Sequence, residues 1–346
     1  MKLFATQEIG SLPKATPETM DRWASGLGAA APEESLAERR SRFNLAFLRR
    51  AGLDIVYDGE AHRIEMSEHA YRSIRGAEFV GHVRSFDNKY FRKAAIRDRP
   101  SLLGPYHHDE FAFVRRTAGL PTEALKVPVT GPYTLAEWAY NDYYLAREPG
   151  RYRRVGRESA QRELVLALAR EVLRPTLADL VGQGARLIQI DEPALGTHPE
   201  ETALAVEGFE ESVRGLDAEF SIHICYSDYE KMIPAIFEAR SCREWAWEFA
   251  NREAPGHDPY RLLELFREHG DTRRIGLGVL DVHRDEVESV ATVADRIARA
   301  SRYLGDPSRI RVNPDCGLRT RSWEVIWGKL THMVEGAELA RRAQVG

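Results

Sequence analysis

Short apolar, β-branched runs alternate along the chain with longer segments whose apolar positions recur every three or four residues. The two periods predict strands and helices in turn. Eight runs read as strands, at residues 3–9, 55–57, 126–130, 187–190, 220–224, 245–249, 275–279 and 310–312, each followed by a turn and a helix-competent stretch. Runs this short and this apolar are what parallel strands covered by helices look like. Segments 33–50 and 158–173 mix charge with a helical period and predict solvent-facing amphipathic helices. Eight repeated units predict an α/β fold of the (β/α)8 TIM barrel type. An open doubly wound sheet would usually carry a Gly-rich phosphate loop after its first strand, whereas Gly10-Ser-Leu-Pro stands there. Between the second and third strands, residues 78–120 form an insertion. The partial alternation of Val80-Gly-His-Val-Arg-Ser-Phe-Asp-Asn-Lys-Tyr-Phe-Arg predicts a β-hairpin there, over one mouth of the barrel. No Pro-, Gly- or Ser-rich linker interrupts the sequence, so a single domain over residues 1–346 is expected.

Composition narrows the classes of function. With 43% hydrophobic and 29% charged residues, the chain has enough apolar side chains for a sizeable core, which excludes disorder as its dominant state. A net charge of -4 gives no global attraction to nucleic acid or to anionic membranes, and no basic patch compensates. No run approaches the ~20 apolar residues of a membrane helix, and the N-terminus lacks an apolar leader, so a cytoplasmic location is expected. The three cysteines, Cys225, Cys242 and Cys316, are too few for a disulfide scaffold, which shifts attention to metal or catalytic chemistry.

Polar residues suited to chemistry fall at or just past the carboxyl ends of seven of the eight strands, where barrel active sites are built. They are Ser11, Asp58 with Glu60, Asp191 with Glu192, His223 with Cys225, Glu248, Asp281 with His283, and Asp315 with Cys316. His223 and Cys225 are two apart in an extended run, so their side chains leave one face. A second thiolate from Cys316 and the Glu248 carboxylate would complete a tetrahedral zinc set. Taken alone, a His-x-Cys pair is more at home in a core than at a metal, and Glu248 reads as a carboxylate satisfied near Arg252. Cys242, after an expected helix end with no ligand-type neighbour, is assigned to packing. Glu192, followed by Pro193, suits a cap on the next helix.

These positions sit in a dispersed set of motifs: Ile9-Gly-Ser-Leu-Pro, Asp58-Gly-Glu-Ala-His-Arg, Thr130-Gly-Pro-Tyr-Thr, Ile188-Gln-Ile-Asp-Glu-Pro-Ala-Leu, His223-Ile-Cys-Tyr-Ser, Glu248-Phe-Ala-Asn-Arg, Asp281-Val-His and Val312-Asn-Pro-Asp-Cys-Gly-Leu-Arg-Thr-Arg. In that order they resemble the catalytic half of cobalamin-independent methionine synthase. The resemblance implies a (β/α)8 barrel with Zn2+ held by His223, Cys225, Glu248 and Cys316. It implies that homocysteine is bound at its carboxylate by the turn of Ile9, Gly10 and Ser11, and at its ammonium by Glu60 and Asp191. Its thiol, ionised on zinc, would displace Glu248 and attack a methyl group. His283 would orient the donor or pass a proton to its leaving group.

Larger members of that family carry an additional N-terminal half that helps bind the folate tail, and this chain is expected to lack it. The expected methyl donor is therefore a methylcorrinoid, on a carrier protein or free, with methyl-folate as the other option. Two alternatives stay open. One is alkyl transfer to another small thiol, as in coenzyme M transferases; the other is a corrinoid- or metal-binding accessory barrel that transfers nothing.

Overall fold

A computed structural model describes residues 2–23, 33–84 and 90–345. Nine strands occur among them: β1 Ile74–Arg84, β2 Tyr90–Leu102, β3 Lys126–Thr130, β4 Ala139–Tyr140, β5 Leu187–Asp191, β6 Glu219–Ile224, β7 Cys242–Trp247, β8 Arg274–Gly278 and β9 Ile310–Asn313. The fold is α/β, with parallel pairing between strands that helices separate in sequence. Contacts gather the chain into two compact units, each assembled from separate stretches of sequence.

The first unit comprises Met1–His62, Phe113–Pro128 and Arg243–Gly346. Here β7, β8 and β9 run parallel in register, Trp245 beside Ile275 and Leu277 beside Val312. Parallel bridges continue the series from Val312 to Thr6, from Gln7 to Ile55 and from Val56 to Leu125. The run expected at residues 3–9 is therefore narrowed to bridges at Thr6 and Gln7. Phe4, at φ 52°, lies in the left-handed region, and an extended strand cannot pass through it. β7 begins three residues before the expected start, and Cys242, its first residue, is fully buried. Helix Leu36–Ala51 opens on a Ser35/Glu38 capping box and closes on Gly52 in the left-handed conformation. Its buried face carries Phe43 and Phe47, whose rings meet Trp323 of helix Trp323–Val345 edge-on. Among the strands, Glu244 accepts from Gln7 Nε2 at 2.6 Å and from an Arg311 Nη at 2.7 Å. Burial opposes its charge, but Arg311 and Lys126 outweigh that and hold its pKa low.

The second unit comprises Arg63–Ala112 and Val129–Cys242. It contains the expected hairpin, with β1 and β2 antiparallel and two register shifts, one of them between Arg75 and Ala77 at Gly76. The hairpin starts at Ile74, four residues before the expected insertion, and a helix at His108–Ala118 follows it. The Ser85 to Lys89 part of the alternating stretch lies outside the described residues. β4 pairs parallel with β2. β5 and β6 pair parallel over five positions, from Leu187 beside Glu219 to Asp191 beside His223. Helix Arg154–Leu168 continues through one wide turn, Ala169–Leu173, into helix Arg174–Gly182, which accommodates Pro175 in its first turn. Among the described residues no helix is long and apolar enough to cross a membrane.

Candidate active site and metal centre

In the first unit, three loops that follow strand segments lock together. Leu12 N donates to Gly59 O at 3.0 Å, and the Lys14 ammonium donates to the Glu60 carbonyl. The turn of Ile9, Gly10 and Ser11 is thereby fixed against the turn that carries Glu60. Glu60 itself sits at φ 59°, a conformation a non-glycine residue keeps only where its surroundings impose it. The third loop approaches through Gly317, where a Cβ would come within 2.9 Å of Ser11 N and Oγ. Ile9, Gly10, Cys316 and Gly317 consequently line one small cavity. The expected carboxylate-binding turn and one expected zinc ligand are neighbours within this unit.

Glu248 is buried one residue past β7, with Asp315 acting on it. The Asp315 carboxylate accepts from Phe249 N at 2.9 Å, Ala250 N at 3.0 Å and Asn251 N at 2.7 Å. It is the clamp that fixes the loop following Glu248. Burial, and then repulsion from Glu248, push its pKa well above the ordinary value despite those three donors. Asp281 accepts from His283 N at 2.8 Å, and His283 is exposed.

In the second unit, Asp191 and His223 are paired across β5 and β6, and Cys225 follows β6 directly. Gln189 Nε2 donates to Asp191 Oδ1 at 2.8 Å, fixing one carboxylate oxygen. All three of Asp191, His223 and Cys225 are buried. Glu192 does not cap the element that follows it, as expected from the sequence. Its carboxylate accepts from Tyr133 N at 3.1 Å and Thr134 N at 2.7 Å, and so caps helix Pro132–Glu137, which follows β3. Burial outweighs these bonds and places its pKa at about 7. Gly131 completes the junction, since a Cβ there would overlap the Glu192 carboxylate, while Gly131 N donates to Asp191 O at 2.8 Å.

His223 and Cys225 put an imidazole and a thiol at the end of β6 in the second unit, and Cys316 puts a second thiol after β9 in the first. One imidazole and two thiolates are soft donors of the kind zinc selects. The model of a known family, described as the catalytic domain of cobalamin-independent synthase, matches residues 4–339. The chain belongs to that family. Among its relatives are methionine synthases of Thermoplasma acidophilum, 40% identical with 96% of this chain and 97% of the relative covered, and of Thermococcus kodakarensis, 37% identical with 99% and 95% covered. A solved B12-independent methionine synthase from a Shewanella species has the same fold, with a TM-score of 0.79 at 24% identity over 99% of each chain. As a member of the family, the chain is an enzyme of the methyltransferase kind.

Some of the residues that shape the site were not singled out from the sequence. Gly131 and Gly317 act through what they lack, a Cβ, and only the approach of Glu192 or Ser11 reveals the need. Glu8, buried just before the Ile9 turn, accepts from Tyr57 N; burial and then Asp58 push its pKa well up. The available signal was a charged residue in an otherwise apolar strand segment.

Proposed function

We propose that the chain is a zinc-dependent methyltransferase that converts L-homocysteine to L-methionine in the cytoplasm, on a single eight-stranded barrel domain. The series of parallel neighbours in each unit supports the barrel, and the imidazole and two thiols of His223, Cys225 and Cys316, in a chain of this family, carry the functional reading. His223, Cys225, Cys316 and Glu248 would hold the metal. Bound there, zinc ionises a thiol at neutral pH.

The rest is the work of the chain's own groups. The backbone of Ile9, Gly10 and Ser11 receives the substrate carboxylate, and Glu60 and Asp191 receive its ammonium. Asp315, which fixes the loop after Glu248, would hold that carboxylate in position. His283, on an exposed loop, would orient the methyl donor or deliver a proton to its leaving group. The ammonium-binding pair favours an amino-acid thiol over coenzyme M, and the intact donor set opposes a role without transfer. The donor is of the methylcorrinoid or methyl-folate class.

The test is methionine formation by the purified zinc-loaded chain, with homocysteine as acceptor and each donor supplied separately. Turnover with a methylcorrinoid exceeding that with methyl-folate is expected. Brisk turnover with methyl-folate would reverse the donor assignment, and methylation of coenzyme M in preference to homocysteine would reject the acceptor.

A further inference from the structure

A second cluster of metal-ligand type lies wholly within the second unit, where the helix His108–Ala118 begins. Its members are His69, His107 and Glu110, whose ligand atoms lie within 4.8 Å of one another. Glu110 Oε2 stands 3.4 Å from His107 Nδ1 and 3.7 Å from His69 Nε2. Tyr106 O, 3.2 Å from the same His69 nitrogen, accepts a hydrogen bond from it, and a metal ion would take the place of that proton. A tetrahedral zinc with donors at about 2.0–2.1 Å separates them from one another by about 3.3–3.4 Å. The observed spacings bracket that edge length.

The surroundings fit ligation as well. His107 and Glu110 side chains are only 1% and 3% exposed, while that of His69 is 18% exposed and leaves a route in from solvent. Arg63, 3.2 Å from Glu110 Oε1, occupies the other carboxylate oxygen and turns Oε2 toward the two rings.

We propose that His69, His107 and Glu110 form a second metal site, separate from the cysteine-containing one, that takes a borderline divalent transition ion of the zinc class through nitrogen and oxygen donors alone. The ion ties the residues preceding β1 to the start of the helix that follows β2, and so fastens both ends of the hairpin.

Cobalt separates the two sites by colour, because thiolate ligands add an intense near-ultraviolet charge-transfer band that a nitrogen and oxygen set lacks. The chelator-stripped full chain is titrated with Co2+, and bound Zn2+ is counted by mass spectrometry on the monodisperse fraction from gel filtration. The wild-type chain is expected to take up two equivalents, one with the charge-transfer band and one without. His69→Gln, at the partly exposed ligand, is expected to lose the second equivalent and keep the first, with the same melting temperature as wild type in chelator. Zinc should raise the melting temperature of wild type more than that of the variant. Uptake of one equivalent bearing the charge-transfer band, or undiminished uptake by both His69→Gln and His107→Ala, would overturn the second site. A single equivalent lacking the band and lost in His69→Gln would support this site while rejecting the cysteine-containing one.

Discussion

Gly131→Ala is a test of how the site is held, because its effect reaches the site through one contact. The backbone at Gly131 has φ -75° and ψ 160°, which alanine adopts freely, so the change carries no conformational strain. The added methyl group would occupy the place of the Glu192 carboxylate, which must move. Tyr133 N and Thr134 N, bonded to it at 3.1 and 2.7 Å, then lose their acceptor in a buried setting. Each such loss costs about 1–3 kcal/mol, partly offset by the roughly 0.4–1 kcal/mol that alanine gains over glycine in the unfolded chain. A net loss of about 3 kcal/mol follows, a drop in melting temperature of about 4 °C for a chain of this size. Because Gly131 N also binds Asp191 O, homocysteine affinity should weaken alongside. The decisive assay is a double-mutant cycle by thermal and urea unfolding with Glu192→Ala. With the carboxylate gone the methyl has room, so the double variant should be no less stable than Glu192→Ala alone, giving a coupling of about 3 kcal/mol. Additive losses, or a Gly131→Ala protein that melts with wild type, would refute the reasoning.

Other expectations follow from the same geometry. Cys316→Ser should lose most of the zinc held by the proposed ligand set, read by cobalt charge transfer, and methionine formation should fall at least in proportion. Asp191→Asn should weaken homocysteine binding about tenfold or more in calorimetric titration while leaving zinc content unchanged, since it removes one charge facing the ammonium; equal affinity would remove its assigned role. Glu192 adds a pH dependence. Its folded pKa of about 7 exceeds the ordinary carboxylate value, so the folded state holds the proton more tightly than the unfolded one. Its contribution to stability is fully present below the unfolded pKa and is lost as pH rises through about 7, by on the order of 3 kcal/mol. Wild type measured against Glu192→Gln between pH 5 and 8 should show that slope, and parallel curves would contradict it.

Most strand positions were legible because buried parallel strands leave short apolar runs that little else produces. β3 begins and ends where the pattern placed it, and β5, β6, β8 and β9 agree to within a residue or so. The runs at 3–9 and 55–57 overstate what forms, since hydropathy does not register the left-handed Phe4. Cys242 was placed after a helix rather than in β7, because a polar Ser-Cys-Arg-Glu stretch conceals a strand whose opening residue is nonetheless buried. Glu192 was misassigned for a different reason. A carboxylate before a proline suits a local cap, yet its partners, Tyr133 and Thr134, are about 60 residues away.

By itself the sequence determined the alternation of strand and helix, the family motifs and the placing of ligand-type residues at strand ends, because periodicity and residue chemistry are local properties. Only the tertiary structure decided that Asp315 clamps the Glu248 loop, that Gly131 yields its space to Glu192, and that His69 and His107 meet on Glu110. Such contacts join residues whose partners are set by packing, and no local pattern in a chain encodes which distant side chain will fill a given volume.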